Sequence, residues 1–123
     1  MIFKVLIVDD DYINRMLLVS LLKKELYKID TLESVDGRDA LSVCREHSDI
    51  QLILLDVEMP NMDGAEFLKH YLRDESLDKV PVIAVSSNDL RIKEVLGLGA
   101  NSFLVKPVTE EKLLTAIRQA QVA

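Results

Sequence analysis

Lys4-Val5-Leu6-Ile7-Val8 runs straight into Asp9-Asp10, and three later stretches repeat the arrangement. Gln51-Leu52-Ile53-Leu54-Leu55 stops at Asp56, Val82-Ile83-Ala84-Val85 at Ser86, and Phe103-Leu104-Val105 at Lys106. Runs this continuously apolar suit strands buried on both faces. As parallel strands of one sheet they would bring their polar ends to one edge, where open α/β sheets bind ligands. Three carboxylates, a hydroxyl and an ammonium would then share a crevice. That set suits a divalent cation and a phosphoryl group.

Between the runs the spacing becomes helical. Ile13, Leu17 and Leu21, widened by Met16, Leu18 and Leu22, predict a helix from Asp11 to about Tyr27. Thr31 to Val35 is short and weakly apolar, as an edge strand would be. Asp36-Gly37 opens a helix carrying Ala40, Leu41 and Cys44. Asp63-Gly64-Ala65-Glu66 has capping-box spacing, with Phe67, Leu68, Tyr71 and Leu72 following on one face. Asn88 caps a helix bearing Ile92, Val95 and Leu96, stopped by Gly97 and Gly99. Thr109 caps the last helix, Glu110 and Glu111 favour its positive end, and Leu113, Leu114 and Ile117 form its buried stripe. Five strands alternating with five helices imply a parallel sheet covered on both faces, with right-handed crossovers.

The length of 123 residues fits one domain, residues 1–123, long enough to bury a core without staples. With 49% apolar residues the chain is not a disordered segment. Its net charge of −6 disfavours direct nucleic-acid binding, because phosphates need Lys and Arg. The single Cys44 excludes an internal disulfide and reads as a small core residue. No stretch approaches the roughly 20 apolar residues of a membrane helix. The start runs directly into a strand, so neither a signal peptide nor a membrane role is expected, and a cytoplasmic setting is the simplest.

Close carboxylates repel and need a cation or a proton between them. Mg²⁺, or Mn²⁺ with similar preferences, takes oxygen ligands and keeps several waters. A helix N-terminus would explain one or two of Asp9, Asp10 and Asp11. It does not explain Asp56, which ends an apolar strand. A carboxylate can attack phosphorus and form an acyl phosphate, and Asp56 is the best placed to do so. Lys106 would add positive charge; it could be only a solvated strand end, but its direct attachment to Pro107 and its pairing with the acidic cluster make that the minority reading. Ser86 would donate a hydrogen bond, although Ser87 and Asn88 beside it also suit a turn or cap.

Taken together, Val5-Leu6-Ile7-Val8-Asp9-Asp10, Leu54-Leu55-Asp56 with Met59-Pro60-Asn61-Met62-Asp63-Gly64, Val82-Ile83-Ala84-Val85-Ser86 and Phe103-Leu104-Val105-Lys106-Pro107 resemble the receiver domain of two-component response regulators. The resemblance covers the whole chain in order. It implies a flavodoxin-like, doubly wound sheet in the order 2-1-3-4-5. It also implies that Asp56 is the phosphoacceptor, that Asp10 binds the metal directly and Asp9 through water, and that Glu58 offers a backbone carbonyl. Lys106 matches the family's lysine, joined by a cis bond to Pro107. Ser86 and Phe103 match the switch pair, in which the hydroxyl moves toward the phosphoryl group and the ring follows inward. Ser in place of the commoner Thr, and Phe in place of Tyr, remove a methyl and a hydroxyl from that pair. Glu58 and Asn88 stand where the family tunes phosphoryl lifetime.

The resemblance further implies a histidine kinase or phosphotransfer protein as donor, docking on the first helix and the loop after the last strand, with Asn14, Leu17 and Pro107 as contacts. Core packing is an equal reading for Leu17. The output face would be the fourth helix, fifth strand and fifth helix, where Leu90 and Leu98 lie off the buried stripe and point weakly to a homodimer on phosphorylation. His47 and His70 read as surface residues. Two other functions compete. One is a phosphohydrolase, since Asp9-Asp10-Asp11 resembles the Asp-x-Asp start of haloacid-dehalogenase-like phosphatases, with Ser86 and Lys106 as later motifs. That family's final acidic motif would have only Glu110 and Glu111 to supply it, and Asp56 would be left without a role. The other is an unphosphorylated scaffold of the same fold. A flavin role lacks the Gly, Ser and Thr of a phosphate cradle.

Overall fold

Side chains of the apolar runs fill both faces of a parallel sheet in the computed structural model, which describes residues 2–25 and 28–122. The elements alternate: β1 Phe3–Val8, α1 Tyr12–Glu25, β2 Ile29–Ser34, α2 Gly37–Glu46, β3 Leu52–Asp56, α3 Gly64–Arg73, β4 Val82–Ser86, α4 Asp89–Leu98, β5 Ser102–Val105 and α5 Glu110–Val122. The strand order is β2-β1-β3-β4-β5, all parallel, the flavodoxin-like doubly wound arrangement.

Alternation within the strands divides the core in two. Leu6, Val8, Ile53, Leu55 and Ala84 pack with Ala40, Leu41, Phe67, Leu68, Tyr71 and Val95 of α2, α3 and α4. Val5, Ile7, Leu52, Leu54, Ile83 and Val85 pack with Leu18 and Leu22 of α1 and Leu113, Ala116 and Ile117 of α5. β1, β3 and β4 therefore have no solvent face, which is why they read as unbroken apolar runs. Cys44 is a buried core residue, and desolvation pushes its thiol up to about 11. No helix of the described residues is long and apolar enough to cross a membrane.

The caps form largely as expected. Asp36 accepts from Asp39 N–H at 2.8 Å, Asp63 from Glu66 N–H at 2.9 Å, and Asn88 from Leu90 N–H at 2.9 Å. Thr109 accepts from Lys112 N–H at 3.2 Å. α4 runs through Gly97 and ends at Gly99, whose φ of 123° is open to glycine and strained for other residues.

Several expectations need correction. The apolar stripe of α1 is rotated: Leu18 and Leu22 are buried, whereas Ile13, Met16 and Leu17 are exposed and Leu21 is half-buried. This helix is apolar over too much of its circumference for periodicity to select a face. Its expected end near Tyr27 lies outside the described residues. Leu72 and Leu96 point outward, and Leu114 is half-buried. β2 occupies 29–34, so Val35 is exposed beyond it. Leu90 is exposed, but Leu98 packs against the core. His70 is exposed, whereas His47 is half-buried.

Candidate functional site

Parallel register brings the strand ends together. Val8 lies beside Leu55, so Asp9 and Asp10 leave β1 next to Asp56 at the end of β3. Ser86 ends β4 and pairs with Val105, so Lys106 emerges beside it from β5. The Lys106 ammonium reaches back to Asp56, with Nζ 3.3 Å from Oδ1. Asp56 lies at the point where the chain order reverses, between β1 on one side and β4 on the other. The start of α3 seals this corner. A Cβ on Gly64 would sit 2.7 Å from Asp56 O and Val57 Cα, so only glycine lets the helix approach so closely.

Asp9, Asp10 and Asp56 offer carboxylate oxygens that all lie within 4.8 Å of one another. Asp56 is 3% exposed and Asp9 1%, while Asp10 faces solvent. Burial is the main cause that pushes Asp56 up to about 7, the charge of Asp9 adding to it and Lys106 opposing it. Burial also raises Asp9, against the Asp11 N–H and Lys106. One ammonium does not offset two desolvated carboxylates. An all-oxygen donor set with one open side and surplus negative charge fits Mg²⁺ or Mn²⁺. Asp11 serves the helix: its carboxylate accepts from Ile13 N–H at 2.8 Å, and its own N–H holds Asp9 Oδ1 at 2.8 Å.

Two residues that sequence reasoning did not single out brace this pocket. Arg15 donates to the Asp9 carbonyl at 2.8 Å and to Glu33 at 2.9 Å, fixing the end of β1 against β2. Its one faint signal is a long cation on a mostly apolar helical stretch just after the acids. Lys112 donates to Val105 O at 3.3 Å and Pro107 O at 3.1 Å, bracketing Lys106, whose bond to Pro107 is cis as expected. Nothing local in sequence marks Lys112.

The remaining expected residues divide. Ser86 is fully buried at the same edge, but its hydroxyl donates to Glu58 Oε1 at 2.5 Å, away from Asp56. The Glu58 side chain thus joins Ser86 and stands apart from the three grouped carboxylates. Asn88 spends its side-chain carbonyl on capping α4. Phe103 is 43% exposed on β5. Asn14, Leu17, Lys106 and Pro107 line one groove of about 450 Å³ that also touches Asp9. Leu17 is exposed in that groove and does not belong to the core, which removes its core-packing reading.

Comparison with known proteins agrees with this geometry. The model of the response regulator receiver domain family matches residues 5–118. The two-component response regulator ORR3 of Oryza sativa subsp. indica is 36% identical over 106 residues, covering 85% of this chain and 79% of that protein. The chemotaxis response regulator CheY4 of Vibrio cholerae superposes with a TM-score of 0.82 at 30% identity, covering 98% of this chain and 99% of its own. A CheX-CheY-BeF3-Mg²⁺ complex from Borrelia burgdorferi gives a TM-score of 0.86 at 30% identity, covering 98% of this chain and 90% of its own. A doubly wound sheet, an acid-lined switch point and relatives that match over most of their length lead to one assignment: the chain belongs to the response regulator receiver domain family.

Proposed function

We propose that this receiver is a phosphoacceptor switch, phosphorylated on Asp56 by a histidine kinase or phosphotransfer protein. The observation that carries the reading is the buried Asp56 carboxylate, grouped with Asp9 and Asp10 and touched by Lys106. Asp56 attacks phosphorus; the new bond joins a carboxylate oxygen to phosphorus, and the donor nitrogen leaves with the electrons of the broken P–N bond. Asp9, Asp10, Asp56 and the backbone carbonyl of Glu58 would hold Mg²⁺, which supplies charge neutralisation for the phosphoryl oxygens. Lys106 adds positive charge beside Asp56 and favours its ionised, nucleophilic form.

The groove containing Asn14, Leu17 and Pro107 receives the donor, its floor opening onto Lys106 and Asp9. Ser86 then turns toward the phosphoryl group and Phe103 moves inward, altering α4, β5 and α5. Exposed Leu90 on that face is available to a second copy or an effector. A cytoplasmic setting belongs to the same reading. The test is intact-mass spectrometry after incubation with Mg²⁺ and a small phosphodonor. The wild type gains one phosphoryl group and Asp56→Asn gains none; an unchanged wild-type mass would overturn the proposal. Turnover of a phosphate ester that survives Asp56→Asn would instead favour a phosphohydrolase using Asp9.

A further inference from the structure

Ser86 carries one hydroxyl proton, and that proton is already committed. Its Oγ donates to Glu58 Oε1 at 2.5 Å and accepts from Asn88 N–H at 3.0 Å. A serine hydroxyl is a single donor. It cannot serve the Glu58 carboxylate and a phosphoryl oxygen on Asp56 together. We propose that Glu58 is a positioning residue that holds Ser86 in its unphosphorylated arrangement, so that switching requires Glu58 to release it. The inference rests on Asp56 being the phosphoacceptor.

The surroundings suit such an exchange. Glu58 is exposed, so its carboxylate can leave into water without a burial penalty. Hydrogen bonds to carboxylates are stronger than neutral ones, so the contact holds until something competes for the proton. Phosphorylation replaces the single charge of the Asp56 carboxylate with an acyl phosphate of roughly 1.5 to 2 negative charges, a net gain of up to about one beside Glu58, weakening that carboxylate's hold by repulsion while offering better acceptor oxygens. The departing carboxylate also has a cation at hand. Arg91 of α4 pairs with Asp63 at 2.7 Å and Glu94 at 2.8 Å, and the charge of Glu58 contributes to holding its proton. Release of Ser86 thus shifts negative charge toward α4, on the face that the phosphorylated form is expected to change. Glu58→Ala leaves the hydroxyl proton of Ser86 uncommitted from the outset.

The experiment is a double-mutant cycle read by calorimetric affinity for fluoroberyllate in the presence of Mg²⁺, using wild type, Glu58→Ala, Ser86→Ala and the double variant. Glu58→Ala tightens binding roughly tenfold where Ser86 is present, as expected for removing one competing charged hydrogen bond, and less than about twofold in the Ser86→Ala background. Glu58→Gln, which keeps an acceptor but loses the charge, falls between. Without fluoroberyllate, NMR resonances of Phe103 and α4 in Glu58→Ala move part of the way toward their fluoroberyllate-bound wild-type positions. Equal tightening in both backgrounds would reduce Glu58 to a nearby charge and overturn the proposal, as would no tightening. Asp56→Asn separates the two readings. If it binds fluoroberyllate as well as the wild type does, the phosphoacceptor assignment falls and takes this inference with it; if it does not bind, that assignment stands and the cycle alone decides.

Discussion

The two ends of the sheet treat an acid–lysine pair in opposite ways. At the amino end, Lys4 meets Asp49 at 2.8 Å and Asp30 at 3.8 Å, all within reach of water. The hydrogen bond from Lys4 holds Asp49 below its ordinary value. At the carboxyl end, Lys106 lies 3.3 Å from Asp56, yet Asp56 is raised to about 7. The partners are the same in kind; the solvent is not. Water stabilises the carboxylates at one end, whereas burial leaves those at the other with more negative charge than one ammonium can offset. The difference shows that an ion pair marks a site only when desolvation outweighs it, because the surplus negative charge is what a divalent cation can neutralise.

The strongest way to break this contrast is to remove the buried charge. Asp56→Asn raises the stability of the metal-free protein at pH 8 by on the order of 2 kcal/mol, measured by urea denaturation, since a desolvated carboxylate becomes neutral. The sign follows from the raised value. An Asp56 that titrates near 7 when folded, against an ordinary 3.8, contributes stability that is fully present below pH 3.8 and lost as pH rises through about 7. Metal-free wild type therefore weakens across that window, and Asp56→Asn flattens the slope. An unchanged slope would mean that burial does not dominate at this edge.

Packing gives the next effect. Gly64→Ala forces a Cβ against the Asp56 and Val57 backbone and costs about 1–3 kcal/mol by the same denaturation assay, with weaker Mg²⁺ binding because the Asp56 corner shifts. Mg²⁺ itself should reverse the electrostatic deficit: at pH 8 it raises the melting temperature, and chelation removes the gain. Asp10→Asn weakens Mg²⁺ by about tenfold or more in calorimetry, roughly 1.4 kcal/mol per tenfold. At the amino end, Lys4→Ala leaves Mg²⁺ affinity unchanged and the melting temperature nearly so, because exposed pairs contribute little. A Lys4 effect on Mg²⁺ comparable to that of Asp10 would erase the distinction between the ends.

Strands were the most legible part of the chain. The central stretches 5–8 of β1, 52–55 of β3 and 82–85 of β4 are buried on both faces, so burial demanded apolar residues throughout them and left no periodicity to misread. Caps were legible because Asp36, Asp63 and Asn88 satisfy backbone donors within three residues of themselves. α1 was not, since Ile13, Met16, Leu17, Leu18, Leu21 and Leu22 cover too much of the helix to show which side meets the sheet. Arg15 and Lys112 escaped notice because each acts on a backbone carbonyl, and carbonyls carry no residue identity.

What the amino-acid order determined by itself is the parallel sheet and the chemistry at its edge, because apolar runs ending in Asp9, Asp10, Asp56, Ser86 and Lys106 allow few other arrangements once the strands are aligned. What only the folded molecule decided is which acceptor takes the proton of Ser86, which side of α1 stays open, and how far Asp56 is raised. Each of these depends on distances of a few ångströms and on the exclusion of water between segments remote in the chain. Solvent exclusion is a property of packed surfaces, and no linear spacing encodes it.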